Sequence, residues 1–402
     1  MGFREKNKWW VAPANYAPEV TEQVHFADKI ELLDTTLRDG EQQPGIVFSK
    51  EDKVAIAKML DAAGIHRIEA GTPSVSQEDA DAIREICDSG LKAQIYCFTR
   101  NVVDDIKLAK SCGVDGVLTE VPGSEHMLQG GMKWNADKAI KAACETTQAA
   151  HEMGMKVAFF PADGSRADLN FLLDTLQAIQ EGGHVDSVTL VDTFGAFSPA
   201  GAAYTVRKMK ERLGVPIEAH FHEDFSLSVA TTLAALEAGA EVAHVTVNGI
   251  GERCGNTPLE SLALCLQCLY SKDLGVDLTM MRALSKEVEK RSGMPVSKTK
   301  PVVGDNIFGW ETGIPVGYWK NAKDIDPLIM MPYMWTMVNQ REPYIYTGKK
   351  SGVANMQLVA EELGMEMDKD TAKRMMNLVK EMAIREKRCI TREEFVALTK
   401  KL

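Results

Sequence analysis

IELLDTTLRDGEQQPGIVFSKEDKVAIAKMLDAAGIHRIEAG, residues 30–71, carries two short apolar, strand-like runs at 30–34 and 66–70 and, between them, an amphipathic stretch at 50–63 closed by Gly64. A buried strand reads as a brief apolar run, an amphipathic helix as an apolar face with a period near 3.6, and a glycine just beyond that face as a helix stop. The stretch is therefore one strand–helix–strand unit of a parallel sheet. Outward from it the same period continues. Further strand-like runs lie at 93–98, 116–121, 156–160, 187–191, 216–220 and 242–247, with helical stretches such as 101–112 between them and Gly113 and Gly239 as further stops. Eight such units in roughly 240 residues have the size of a (β/α)8 TIM barrel. A doubly wound open sheet is the competing reading, but no GxGxxG follows an early strand to support it.

After residue 290 the pattern changes to SKTKPVVGDNIFGWETGIP at 297–315 and YTGKKSG at 346–352, followed by helical segments expected at 353–363, 369–385 and 391–400. The chain is accordingly read as an N-terminal arm (1–28), a catalytic barrel (29–285) and a C-terminal linker with a small, mostly helical subdomain (286–402). Trp9 and Trp10 are read as packing that arm onto the barrel or onto a neighbouring subunit.

With 402 residues, 45% of them hydrophobic and 26% charged, the composition is that of an ordinary globular protein. No apolar run approaches the roughly 20 residues that span a bilayer, and the N-terminus has no uninterrupted apolar signal segment, so a cytoplasmic protein without a membrane partner is expected. A net charge of -11 without a dense basic patch sets nucleic acid aside as a partner. It leaves small anions open, because a local pocket of arginine, metal and backbone amides binds a carboxylate whatever the overall charge. The eight cysteines show no framework spacing and fit reduced thiols. Cys265 and Cys268 form a CxxC in an apolar helical run with no second CxxC or nearby histidine, and are read as core.

The polar residues gather at the ends of the expected strands: Arg38 and Asp39 after the first, Glu69 in the second, Arg100 after the third, Asp192 and Thr193 after the sixth, His220 and His222 at the seventh, Asn248 and Asn256 after the eighth. In a barrel these C-terminal strand ends share one mouth, where barrel enzymes carry their chemistry. His220 and His222 are two residues apart on a strand, so their side chains face the same way. Around a closed barrel the first strand neighbours the eighth and lies near the seventh, which lets Asp39 join the two imidazoles and leaves ligand positions open, as a catalytic metal requires. Nitrogen and oxygen ligands without thiolate suit Mg, Mn, Co or Zn. Beside such a metal, Arg38 is placed to polarise the carbonyl of a chelated 2-oxo acid. The plainer role for Arg38 is an ion pair with Glu69 or Asp39 that stiffens the barrel, and the two roles are compatible, since Glu69 can orient the guanidinium.

LLDTTLRDGEQQPGIVFS (32–49), HFHEDFSLSVATTLAALEAGA (220–240) and TVNGIGERCGNTPLE (246–260) resemble, in this order, the motifs of the DRE-TIM metallolyase superfamily, which includes isopropylmalate, homocitrate and citramalate synthases and hydroxymethylglutaryl-CoA lyases. KPVVGDNIFGWETGI (300–314) and YTGKKSG (346–352) resemble segments that follow the barrel only in the synthases, so the resemblance covers about residues 30–355 and favours that branch. It implies Asp39, His220 and His222 as metal ligands with Asn256 as a further ligand or supporting partner, and Arg38 as the group that stabilises the developing alkoxide. Gln42 and Thr193 match oxo-acid contacts, Arg100 joins them as a candidate substrate contact, and Glu69 matches a residue that organises the metal site and Arg38. Gly251 and Gly255 would shape the loop. The second substrate implied is acetyl-CoA, or a related acyl-CoA, whose enolate attacks the keto carbon before thioester hydrolysis frees CoA. A homodimer is implied as well.

The chain departs from the synthase pattern at four places. FFPADGSR (159–166) has Ala162 where the synthases carry Glu, ETGIP (311–315) has Pro315 where they carry His, GKKSG has Lys350 in place of His, and HFHED has Glu223 in place of Asn. Asp163, one residue beyond Ala162, is the candidate substitute in proton transfer. His126 and Lys133 are candidate readers of the distal substrate group. About 50 residues follow GKKSG, too few for the C-terminal regulatory domain of many isopropylmalate synthases. The expected activity is a Claisen-type condensation. The alternatives are a lyase or aldolase cleaving a hydroxy acid or hydroxyacyl-CoA on the same site, and a non-catalytic relative that keeps the barrel.

Overall fold

The computed structural model describes residues 2–402, which divide into two compact units: residues 16–296, and residues 2–15 together with 297–402. The larger unit alternates β1 (Glu31–Asp34), α1 (Lys50–Ala62), β2 (Arg67–Glu69), α2 (Gln77–Asp88), β3 (Gln94–Arg100), α3 (Val103–Cys112), β4 (Gly116–Pro122), α4 (Ala136–Glu152), β5 (Lys156–Ala162), α5 (Leu169–Gly182), β6 (Ser187–Asp192), α6 (Pro199–Leu213), β7 (Ile217–Phe221), α7 (Ser228–Glu237), β8 (Val242–Val245) and α8 (Leu259–Tyr270). All eight strands run parallel and close into a barrel: β8 pairs with β7 at Val242–Glu218 and with β1 from Val242–Glu31 to Val245–Asp34. The expected TIM barrel is the fold, and the open sheet is excluded by that closure.

Local signals set the elements. Ser49 caps α1 by accepting from the Asp52 amide while Asp52 accepts from the Ser49 amide, which satisfies two orphan donors at the helix start. Gly113 ends α3 at φ 88°, a conformation costly for other residues. Strands buried on both faces read as nearly continuous apolar runs. Leu33, Tyr96, Leu118, Ala158, Phe160, Val191 and Val242 pack with Phe98 as one buried cluster of β1, β3, β4, β5, β6 and β8 residues. No helix among the described residues is long and apolar enough to cross a membrane.

In the smaller unit, Arg4–Glu5 and Trp9–Trp10 form a two-stranded hairpin. Trp9 bridges to Tyr333, is fully buried, and has as a neighbour Trp10, whose amide donates to the Pro332 carbonyl at 2.9 Å. The helices Gly313–Ala322, Val353–Glu362, Lys369–Glu386 and Arg392–Thr399 make this unit mostly helical, as expected. All eight cysteines are free, and Cys268 is buried on α8 while Cys265 is partly buried there.

Candidate metal centre and active site

β1 and β7 deliver the central cluster. Asp39 Oδ2 lies 3.1 Å from His220 Nε2 and 3.7 Å from His222 Nε2, and the two Nε2 atoms are 3.4 Å apart. All three side chains are buried, and theirs is the one His/Cys/Asp/Glu group of metal-binding geometry among the described residues. His222 donates Nδ1–H to the Gly255 carbonyl at 3.2 Å, which leaves Nε2 as a lone pair facing Asp39. Burial would raise the Asp39 carboxyl, but Arg38, His220 and His222 together hold it well below the usual carboxylate range. Burial pushes the His220 imidazole down to about 3, against the pull of Asp39, so it is neutral and able to ligate.

The carboxylate and two imidazoles fit a divalent ion, and the orphaned atoms around them say the same. Asp39 Oδ1 and Asn256 Oδ1 are buried without a hydrogen-bond partner. Buried polar atoms are rarely left so unless something else meets them. Asn256 bridges to His222, and its placement depends on the loop glycines. A Cβ on Gly251 would lie 2.1 Å from Asn256 Nδ2, and one on Gly255, at φ +92°, would lie 1.8 Å from the Gly249 carbonyl oxygen.

Arg38 stands over this cluster. Its Nη1 is 3.4 Å from Asp39 Oδ2 and donates to Gln42 Oε1 at 3.2 Å, and its Nε is 2.9 Å from Glu69 Oε1 at an angle that makes the contact an ion pair rather than a hydrogen bond. Thr35 donates to the other oxygen of Glu69, which is fully buried. Phe98 and Phe160 line the guanidinium at 4.7 and 5.7 Å from their ring centres. Nη2 remains buried with no partner. It is a donor in a low-dielectric site with nothing yet to donate to.

The other candidates have different surroundings. Asp163, at φ 59°, accepts from Ser124 Oγ at 2.7 Å, pairs with His126 Nε2 at 2.7 Å and is gripped by Arg166 through both oxygens. Burial works to raise its carboxyl, and the Arg166, Ser124 and His126 contacts lower it below the ordinary value. Its amide donates to Thr193 Oγ1 at 2.8 Å. Arg100 sits at the rim, its side chain 67% exposed, with Nε and Nη2 donating to the two carboxylate oxygens of Asp105, and no hydrogen bond or ion pair among the described residues joins it to the cluster. Asp192 accepts from the Ala196 and Phe197 amides and shapes the loop after β6. Asn248 donates Nδ2–H to the Ser285 carbonyl at 3.0 Å.

Three residues beside the site were missed in the sequence. Glu120, opposite Phe160 at the end of β4, has its carboxyl raised by burial, with Arg38 opposing and Glu252 and Asp39 adding to the rise. Glu218 and His244 are fully buried beneath His220. Glu218 was legible, because residues 218, 220 and 222 alternate onto one face of β7. Glu120 and His244 each stand singly in an apolar run and gave no such signal.

The HMGL-like family model matches residues 29–288. A homocitrate synthase of Methanothermobacter thermautotrophicus is 37% identical over 93% of each chain, and a probable 2-isopropylmalate synthase of Ignicoccus hospitalis is 37% identical over 90% of this chain and 92% of that one. The crystal structure of hydroxymethylglutaryl-CoA lyase from Pseudomonas aeruginosa superposes with a TM-score of 0.61 at 20% identity, covering 67% of this chain and 95% of that chain, a likeness of fold alone. With the family model matched across the whole barrel and relatives this similar over nearly their full lengths, the chain belongs to the HMGL-like family.

Proposed function

We propose that this protein is an acyltransferase that condenses acetyl-CoA, or a related acyl-CoA, with a 2-oxo acid in a Claisen-type reaction dependent on one divalent metal, Mg, Mn, Zn or Co. The observation that carries this is the pairing of an Asp39–His220–His222 ligand set with the unpartnered Nη2 of Arg38 at the barrel mouth, in a chain whose near-full-length relatives are named as homocitrate and isopropylmalate synthases.

Asp39, His220 and His222, with Asn256 beside them, hold the ion. When bound, a divalent ion supplies Lewis-acid polarisation of the 2-oxo group and draws the adjoining carboxylate into place. Arg38 donates Nη2–H to the oxygen on which negative charge develops as the keto carbon is attacked, and Glu69 and Gln42 keep the guanidinium aimed. Thr193, Gln42 and Arg100 are substrate contacts in this reading. The α-carbon of acetyl-CoA loses a proton and bonds to the keto carbon, after which water cleaves the thioester and CoA leaves as the thiol. Asp163 serves this proton traffic through His126, whose imidazole it orients. We also read the protein as a cytoplasmic homodimer.

The test is metal-dependent thiol release from acetyl-CoA with pyruvate, 2-oxoisovalerate, 2-oxoglutarate, oxaloacetate and glyoxylate in turn. Release with one oxo acid supports the reading and names the substrate. Silence with every acid, from protein shown to hold metal, moves the assignment to bond cleavage on the same residues.

A further inference from the structure

Beneath the Asp39–His220–His222 cluster a polar chain continues into the barrel interior, buried from His220 through His244 to Glu218 and Ser187. His220 Nδ1 lies 3.2 Å from His244 Nδ1, and His244 Nε2 lies 2.7 Å from Glu218 Oε2. Glu218 Oε1 accepts from Ser187 Oγ at 2.7 Å and from Arg67 Nη1 at 2.9 Å, and Arg67 Nε continues to Glu31 Oε2 at 2.6 Å. The Phe160 ring meets His220 edge-on at 5.0 Å and stacks on His244 at 6.3 Å, which fixes both imidazole planes.

The hydrogens in this chain follow from valence. With Arg67 Nη1 and Ser187 Oγ both directed at Oε1, Glu218 is the carboxylate of an ion pair with Arg67. An ionised carboxylate only accepts, so the hydrogen between Glu218 and His244 sits on His244 Nε2. A His220 that ligates through Nε2 carries its own hydrogen on Nδ1, so across the 3.2 Å contact His220 donates and His244 Nδ1 accepts. A neutral His220 with its hydrogen on Nδ1 presents a bare Nε2 to Asp39 and His222.

We infer that Glu218 and His244 are positioning residues that set the tautomer of His220, holding its hydrogen on Nδ1 so that Nε2 is free to ligate; this rests on the metal reading given above. Ligating histidines commonly donate their second nitrogen directly to a carboxylate or carbonyl, and changes to such partners typically weaken metal binding by about 10–100-fold. Here a histidine is interposed, which lets the carboxylate sit one layer deeper, against Arg67.

Calorimetric titration of the full chain with MnCl2, alongside thermal melts to verify folding, tests this without reference to turnover. His244→Leu removes the acceptor and should weaken binding roughly 10–100-fold. His244→Asn places an oxygen where Nδ1 stands and should recover most of that loss. Glu218→Gln sets an amide donor against His244 Nε2, reverses the chain and should weaken binding as the Leu variant does. On the unaltered protein loaded with zinc, 15N spectra of labelled histidine should show His220 protonated at Nδ1 and His244 at Nε2. Unchanged affinity in a folded Leu variant, equal loss in the Leu and Asn variants, or the opposite protonation pattern overturns the inference and leaves the metal reading standing. Failure of the unaltered protein to bind manganese overturns both.

Discussion

Gly251 and Asn256 share one volume: a Cβ on Gly251 would lie 2.1 Å from Nδ2 of Asn256. The glycine is required there because the amide beside His222 occupies the space a side chain would fill, so a loop residue with no functional group of its own sets the surroundings of the Asp39–His220–His222 cluster. Gly251→Ala should displace Asn256 and weaken metal binding by about 10-fold. Titration calorimetry checks it, and an unchanged affinity would remove Asn256 from the site.

Replacing His220 or His222 by Ala should abolish both bound metal and turnover, because each removes one of three convergent ligand atoms. Metal analysis after dialysis decides the matter: metal retained at full stoichiometry in the double variant sinks the assignment.

Arg38→Ala should leave metal bound and lower kcat by about 10²–10³-fold, the loss typical of removing one donor to a developing oxyanion. Arg38→Lys should not recover it, since a single ammonium cannot meet Glu69, Gln42 and the substrate oxygen from one planar fork. Steady-state kinetics with metal analysis separates this from ligand loss.

Asp163→Asn and His126→Ala should each lower kcat, by about 10²-fold if the pair serves proton transfer, with metal content unchanged. Because the two act through one contact, the double variant should be little worse than either single one. Additive losses would show separate roles.

Asp34, fully buried with Oδ2 unpartnered, has its carboxyl pushed up to about 7 by burial, with the Thr36 hydrogen bonds opposing and Glu260 and Glu69 adding to the rise. A folded-state value above the unfolded one means that the folded protein holds a proton which the unfolded chain releases. The associated stability is present at low pH and is lost as pH rises through about 7. Asp34→Asn should therefore match the parent protein near the acid end of that window and melt several degrees higher above it, at about 2–4 °C for each kcal/mol. A parallel offset at all pH values would show that Asp34 does not titrate in this range.

Much of the molecule was legible along the chain. The alternation through residues 30–71 repeats around all eight observed strands, because strand and helix periods, caps and glycine stops act over a few residues. His220 and His222 declared a shared face by spacing alone, and Asp39 was tied to them once closure of the barrel was assumed. Asp163 was legible as a carboxylate near Ala162, but its grip on Ser124, His126 and Arg166 was not, since those partners come from loops whose paths the local pattern leaves open.

The sequence by itself determined the barrel, its mouth and the convergence of Asp39, His220 and His222, all carried by repeating local patterns or by short, ordered motifs. Only the tertiary structure decided what each polar group faces. It turned Arg100 onto Asp105 at the rim, left Nη2 of Arg38 without a partner, and joined His220 through His244 to Glu218 and Arg67. The reason is closure. β8 pairs with β1 and β7, and this sets side chains from positions 218, 220 and 244 into one dry interior where each must find a partner, a constraint that no local stretch of chain contains.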